Sequence, residues 1–155
     1  MNYYTMLTKA GAAKLANAIA ANIPLTLSRI AVGDGNGAPV VVKESVTALV
    51  RECYRGGINS IARDEGNPNW LAAEMVIPST EGGFTIREIG LFDEAGDLVA
   101  YGNFPESYKP VLAEGAAKEL VVRMYLETSA AANVTLKIDP AIVLADEPTG
   151  NLDSA

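Results

Sequence analysis

Phe84-Thr85-Ile86-Arg87-Glu88-Ile89-Gly90-Leu91-Phe92, then Asp93-Glu94-Ala95-Gly96-Asp97, then Leu98-Val99-Ala100-Tyr101, is the stretch on which the fold turns. Apolar side chains alternate at 84 and 86, then at 89 and 91, with Arg87-Glu88 between the two pairs. Period-two alternation reads as a strand, and the change of parity implies a bulge or burial on both faces. Asp, Gly and Asp in the five residues that follow are turn formers. Leu98 to Tyr101 is the return strand, so the pair is a hairpin and the sheet antiparallel.

The pattern repeats on both sides of this hairpin. Ile58 to Ala62 and Trp70 to Ile77 flank the turn-rich Arg63-Asp64-Glu65-Gly66-Asn67-Pro68-Asn69. Leu120 to Glu127 is expected to pair with Val134 to Ile138. Leu25 to Val32 reads as a strand whose apolar residues, Leu25, Leu27 and Val32, share or switch faces around Arg29. Upstream, Thr8 to Ala21 reads as a helix: Thr8 is a fair N-cap, Ala12, Leu15, Ala16 and Ile19 form a stripe, and Asn22 and Pro24 end it. A stripe that is mostly alanine implies close packing against another element. Asp139-Pro140 reads as the cap and first residue of a short C-terminal helix through Ala141-Ile142-Val143-Leu144. The expected class is α+β: mainly antiparallel hairpins, an N-terminal helix and a short C-terminal helix.

Composition narrows function. The chain has 155 residues, 12 Lys plus Arg against 19 Asp plus Glu, a net charge of −7, no histidine and one cysteine. A lone cysteine cannot form an intrachain disulfide, and without histidine there is no Ser-His-Asp triad, Cys-His dyad or histidine-bound zinc. The acidic balance argues against non-specific binding to nucleic acid or to an anionic membrane. No apolar run approaches the roughly 20 residues of a membrane helix, and the first residues lack a signal-peptide pattern. The expectation is a chain made inside the cell, one domain with or without a short tail.

Few side chains point to chemistry. Gly33-Asp34-Gly35-Asn36-Gly37 lacks a helix behind it to hold phosphate and the glutamate of a calcium loop, so it reads as a turn. Arg87-Glu88 reads as a structural pair or the two residues of a bulge. Asp64, Glu65, Asp93, Glu94 and Asp97 lie at turns, where backbone chemistry accounts for them. Cys53, between Arg51 and Arg55, has neighbours that could lower its pKa, but no base to use it. Phe104-Pro105-Glu106-Ser107-Tyr108-Lys109-Pro110 reads as a rigid, packed connection. Ala145-Asp146-Glu147-Pro148-Thr149-Gly150-Asn151-Leu152-Asp153 looks like the magnesium-binding strand end of ABC-type ATPases. No G-x-x-x-x-G-K-[ST] loop accompanies it, so it is read as a chance match or a junction. A stand-alone carbohydrate-binding or receptor-binding module is a further alternative. It would need an aromatic platform, and aromatic residues are only 6% of the chain.

Taken in order, a set of runs resembles the N-terminal domain of phage tail-collar fibre proteins. They are Leu7-Thr8 through Asn17-Ala18, Ala31-Val32-Gly33-Asp34-Gly35, Thr47 to Val50, Asn67-Pro68-Asn69-Trp70 and Val76-Ile77-Pro78 ahead of Glu81 to Phe84. Ile86-Arg87-Glu88-Ile89-Gly90-Leu91-Phe92-Asp93 and Glu106-Ser107-Tyr108-Lys109-Pro110 with Leu112 to Gly115 are the most specific. Val134 to Pro140 closes the series. The resemblance implies a structural domain, residues 1–144, that attaches a tail fibre to a baseplate protein while a distal part binds the host. Residues 145–155 would be a tail outside it, the root of a shaft or a junction. It implies a homotrimer at the baseplate periphery of a contractile tail, made in the bacterial cytoplasm. No catalytic residue, cofactor or metal is carried over. Asp34 and Asn36 in the glycine-rich loop, and Phe104, Tyr108 and Lys109 in the aromatic segment, are the candidate partner-docking residues.

Overall fold

The computed structural model describes residues 4–63, 66, 70–111, 119–127 and 136–138, and every statement below concerns those. Nine strands and one α-helix run in the order β1 (Thr5–Leu7), α1 (Lys9–Ala21), β2 (Leu25–Gly33), β3 (Glu52–Gly57), β4 (Ser60–Arg63), β5 (Trp70–Ile77), β6 (Phe84–Asp93), β7 (Leu98–Lys109), β8 (Leu120–Glu127) and β9 (Leu136–Ile138). A short 3-10 turn, Gly35–Gly37, follows β2.

The strands form two sheets. The larger has the order β1-β7-β6-β2-β3, all antiparallel, with β9 running parallel to the start of β2; the smaller has the order β4-β5-β8. Apolar residues from both meet in one core. Ile30 and Val32 of β2, Ile86, Ile89 and Leu91 of β6 and Val99 of β7 face Leu71, Met75 and Ile77 of β5 and Val122, Met124 and Leu126 of β8. This is sheet-on-sheet packing with each inner face supplying alternate residues. The alternation on β5 is regular, odd positions buried and even positions half-buried.

The parity change read on β6 is a register shift, and β2 carries one too. Pairing slips between Leu27 and Arg29 on β2 and between Ile86 and Glu88 on β6. Each slip moves the core-facing set from one parity to the other, which a bulge does by adding one residue to one strand. Both strands are also covered on their second face. Ala31, Phe92, Leu98 and Tyr101 pack there against Val40, Val42 and Leu49 of the segment between β2 and β3. For β6 the bulge and the two-sided burial expected as alternatives are thus both present.

Helix α1 begins where expected. Thr8 Oγ1 accepts from the Gly11 N–H at 2.9 Å, and Asn22 ends the helix in the left-handed region at φ 55°. Its buried residues are Gly11, Leu15 and Ala18 rather than the stripe of Ala12, Leu15, Ala16 and Ile19. Close approach at Gly11 sets that rotation. A Cβ there would lie 1.9 Å from the Val99 carbonyl oxygen, so the helix rests on β7 only because the position is glycine. At the β6–β7 turn, Gly96 has φ +88°, and the Asp97 N–H donates to Asp93 Oδ1 at 2.9 Å.

Three expectations need correction. Among the described residues the fold is a two-sheet, mostly antiparallel β structure with a single 13-residue helix, too rich in strand for the α+β class expected. The helix proposed for 141–144 lies outside the described residues, as do Asp64, Glu65 and the ATPase-like segment 145–153. Strand β8 pairs with β5 along its whole length, Trp70 to Glu127 through Ile77 to Leu120, and not with 134–138. Residues 136–138 instead pair with β2. The return strand β7 runs on to Lys109, so the segment read as a packed connection is a strand. No described helix is long and apolar enough to cross a membrane.

Candidate functional site

The segment from Asp34 to Arg51 lies over the outer face of the larger sheet as a strap. It forms no ladder along its length, so its backbone donors need other partners. At its start, Asp34 Oδ1 accepts from the Asn36 N–H at 2.8 Å, and Asn36 sits at φ 58°, a conformation asparagine tolerates. Both ends are then fastened by one side chain, Glu88 of β6.

Glu88 is fully buried. Its Oε1 accepts from the Val50 N–H at 2.8 Å and from the Tyr101 hydroxyl at 2.6 Å. Its Oε2 accepts from the Arg51 N–H at 2.9 Å and from the Gly35 N–H at 3.2 Å. A carboxylate in the interior is tolerable only when its lone pairs are taken, and here four donors take them. Burial, and then the bond to Glu88, hold the Tyr101 phenol well above its ordinary pKa. Tyr101 therefore stays a donor.

Arg87, beside Glu88, has different partners. Its Nε donates to Glu106 at 2.7 Å and its Nη1 to the Asp34 carbonyl at 2.9 Å. Arg87 and Glu88 are thus not a pair with each other; they are the two residues at the bulge between Ile86 and Ile89, which face the core, and both fall on the outer side. The two together tie the turn at Asp34 to β6.

Beside this knot lies an open, mostly polar groove lined by Asp34, Arg51, Cys53, Phe84, Arg87 and Tyr108. It brings together Asp34 and Tyr108, which are 74 positions apart in a numbering that gives no hint of their meeting. Tyr108 is 54% exposed. Arg51 approaches Asp34 at 3.5 Å and is largely exposed. Burial first, and Asp34 second, push the Cys53 thiol up rather than down. The expectation of a lowered value is corrected: Arg55 is turned to Glu52, with bonds at 3.0 and 2.8 Å, and the opposing pull of Arg51 is small.

The other candidates fall elsewhere. Asn36 is exposed on the 3-10 turn. Phe104 is half-buried against the main core and lines a second groove with Tyr4, Pro105, Arg123 and Tyr125. Lys109 is buried, and its Nζ donates to the carbonyls of Glu81 and Pro110 at 2.8 Å each. That ammonium ties the end of β7 to the residues before β6. The residue that organises the strap, Glu88, was visible in the sequence as a charge inside an apolar strand, but its partners were not.

These features define a structural β module: two sheets, one helix and a strap fastened by a buried carboxylate, with no cluster of His, Cys, Asp and Glu fit to hold a metal ion among the described residues. The chain belongs to the phage tail-collar fibre proteins, whose N-terminal family model matches residues 1–147. It is a virion structural protein of the tail-fibre type. Over 148 residues it is 43% identical to a probable tail fiber protein of Escherichia phage P2; the match takes in 95% of this chain and 22% of that protein. The chain thus spans about a fifth of the length of that relative. No solved structure matches it.

Proposed function

We propose that this domain seats a tail fibre on the baseplate of a contractile phage tail, as a homotrimer without enzymatic turnover, so that more distal fibre can bind the host. The match to the N-terminal family model over residues 1–147 carries this reading. The groove around Asp34 and Tyr108 supports it. The groove combines an exposed phenol with guanidinium and carboxylate groups on a strap that Glu88 pre-orders, and a fixed surface loses less entropy on docking. Of the five candidates, Asp34 and Tyr108 then make the contact and Asn36 flanks it. Lys109 supports the end of β7, and Phe104 belongs to the second groove.

Co-sedimentation of the tagged chain with purified phage tails that lack fibres tests both levels. The chain should pellet with the tails. Tyr108→Ala should weaken this about tenfold or more, as expected of an interface anchor, with an unchanged melting temperature. Failure of the wild-type chain to pellet removes baseplate attachment. Wild-type pelleting by Tyr108→Ala keeps attachment and removes the groove. Sedimentation equilibrium of the free chain checks the trimer, which a monomeric mass would overturn.

A further inference from the structure

Six arginines occur in the sequence. Arg51, Arg55, Arg87 and Arg123 each form a salt bridge, to Asp34, Glu52, Glu106 and Glu74. The side chain of Arg63 lies outside the described residues. The side chain of Arg29 makes no ion pair or hydrogen bond among the described residues, although the chain carries 19 acidic side chains. It is not a fringe residue. It stands in β2, the strand between β6 and β3, and it is only half-exposed.

Register places it. Ile30 and Val32 face the main core, and Ala31 faces the outer side with Phe92 and Leu98, so Arg29 shares that outer side. Its cross-strand partners are Phe92 on β6 and Gly57 on β3. Gly57 has no side chain to answer a guanidinium. Ala31 pairs with Arg55, which puts Arg55 diagonal to Arg29 on the same face. Arg55 reaches across β2 until its guanidinium lies 3.9 Å from the centroid of the Phe92 ring. Glu52 takes Nε and Nη2 of Arg55 and leaves its Nη1. Register therefore sets Arg29 and Arg55 diagonally on the face that carries Phe92. Arg55 is fixed by a carboxylate and a ring; the Arg29 side chain has no hydrogen-bonded or ion-paired partner among the described residues.

Like charges on neighbouring strands repel, and a half-buried guanidinium without an acceptor loses hydration without compensation. We infer that Arg29 and Arg55 form a receptor for a carboxylate on an acidic segment of a partner protein. A planar guanidinium matches a carboxylate through two parallel hydrogen bonds, and the ring beneath Arg55 fixes the direction of approach. A protein partner is favoured over nucleic acid because the chain's net charge of −7 repels a polyanion while one side-chain carboxylate can enter. Neither Arg29 nor Arg55 lines the groove around Tyr108, although Glu52, which holds Arg55, does, and the inference stands whether or not that groove binds the baseplate.

Titration of the full chain with acetyl-Gly-Glu-Gly amide, which carries one carboxylate, followed by the arginine Nε and backbone amide resonances, tests the site. Saturable shifts are expected at the Arg29 and Arg55 Nε–H and at the Gly57 amide. Arg29→Gln should weaken binding about tenfold or more, the scale of a charge-assisted hydrogen bond. Arg29→Lys, which keeps charge but loses the fork, should weaken it measurably and serves if Arg29→Gln does not fold. Arg123→Gln, on the other sheet, should leave binding unchanged. Equal shifts in wild type and Arg29→Lys, or shifts that never saturate, overturn the site. Inorganic phosphate binding as tightly as the peptide overturns the assignment to a protein carboxylate.

Discussion

The larger sheet is covered on both faces, and the two covers are held by different physics. On its inner face the smaller sheet meets it through apolar side chains that need no individual partners, because burial is non-directional. On its outer face the strap 34–51 adds only a small apolar set, Val40, Val42 and Leu49, and depends on directed bonds to Glu88 for its backbone. A sheet brings its own hydrogen-bonded ladder to the interface. A loop does not, so the protein that covers itself with a loop must supply acceptors from beneath. The strap is accordingly the part of the fold whose shape one residue can change.

The inner face should respond most strongly to a cavity. Ile30→Ala, at a side chain with no exposure, is expected to cost about 2–5 kcal/mol by denaturant unfolding, with the whole molecule lost together. Next, Glu88→Gln turns an acceptor into a group that also presents N–H to the strap donors. A loss of about 1–3 kcal/mol is expected. Hydrogen exchange should speed at Gly35, Val50 and Arg51 while β5 and β8 amides keep their protection; uniform acceleration would erase the contrast between the faces. Thr8→Ala removes the α1 cap and should cost about 1 kcal/mol. The smallest expected effect is alkaline. Bonds to Asp93 and then Asp97 raise the Lys14 pKa above 10.5, and burial raises Tyr101 above 10.0. Stability from both is complete at lower pH and declines above about pH 10, as the unfolded chain loses protons that the folded chain keeps. Tyr101→Phe should flatten the part of that decline that comes from the outer face, and an unchanged slope would show that the phenol does not contribute.

Much of the candidate site was legible only in pieces. Asp34-Gly35-Asn36 announced a turn, and Tyr108 stood out as an aromatic in a proline-flanked run. Their meeting in one groove depends on β6 lying between β2 and β7. Lys109, between Tyr108 and Pro110, read as a candidate partner-docking residue. Carbonyls of Glu81 and Pro110 hold it buried. Arg29 stood at a point where the apolar residues of its strand either shared or switched faces, and only the diagonal relation to Arg55 gives it a companion.

By itself the sequence determined what depends on neighbours along the chain. It set helix α1 with its Thr8 cap and Asn22 stop, the β4–β5 and β6–β7 hairpins, and the position of the parity change on β6. Turn residues, caps and alternation act over a few residues, so each is encoded where it acts. The recurrence of many such runs in one order was enough to identify the family. Tertiary structure decided the rest: that β8 joins β5, that β9 lies parallel to β2, and that one carboxylate on β6 holds both ends of a strap 37 to 53 residues away. Those choices are made by which faces can share a core and which donors lack water, and neither quantity exists until distant segments have come together.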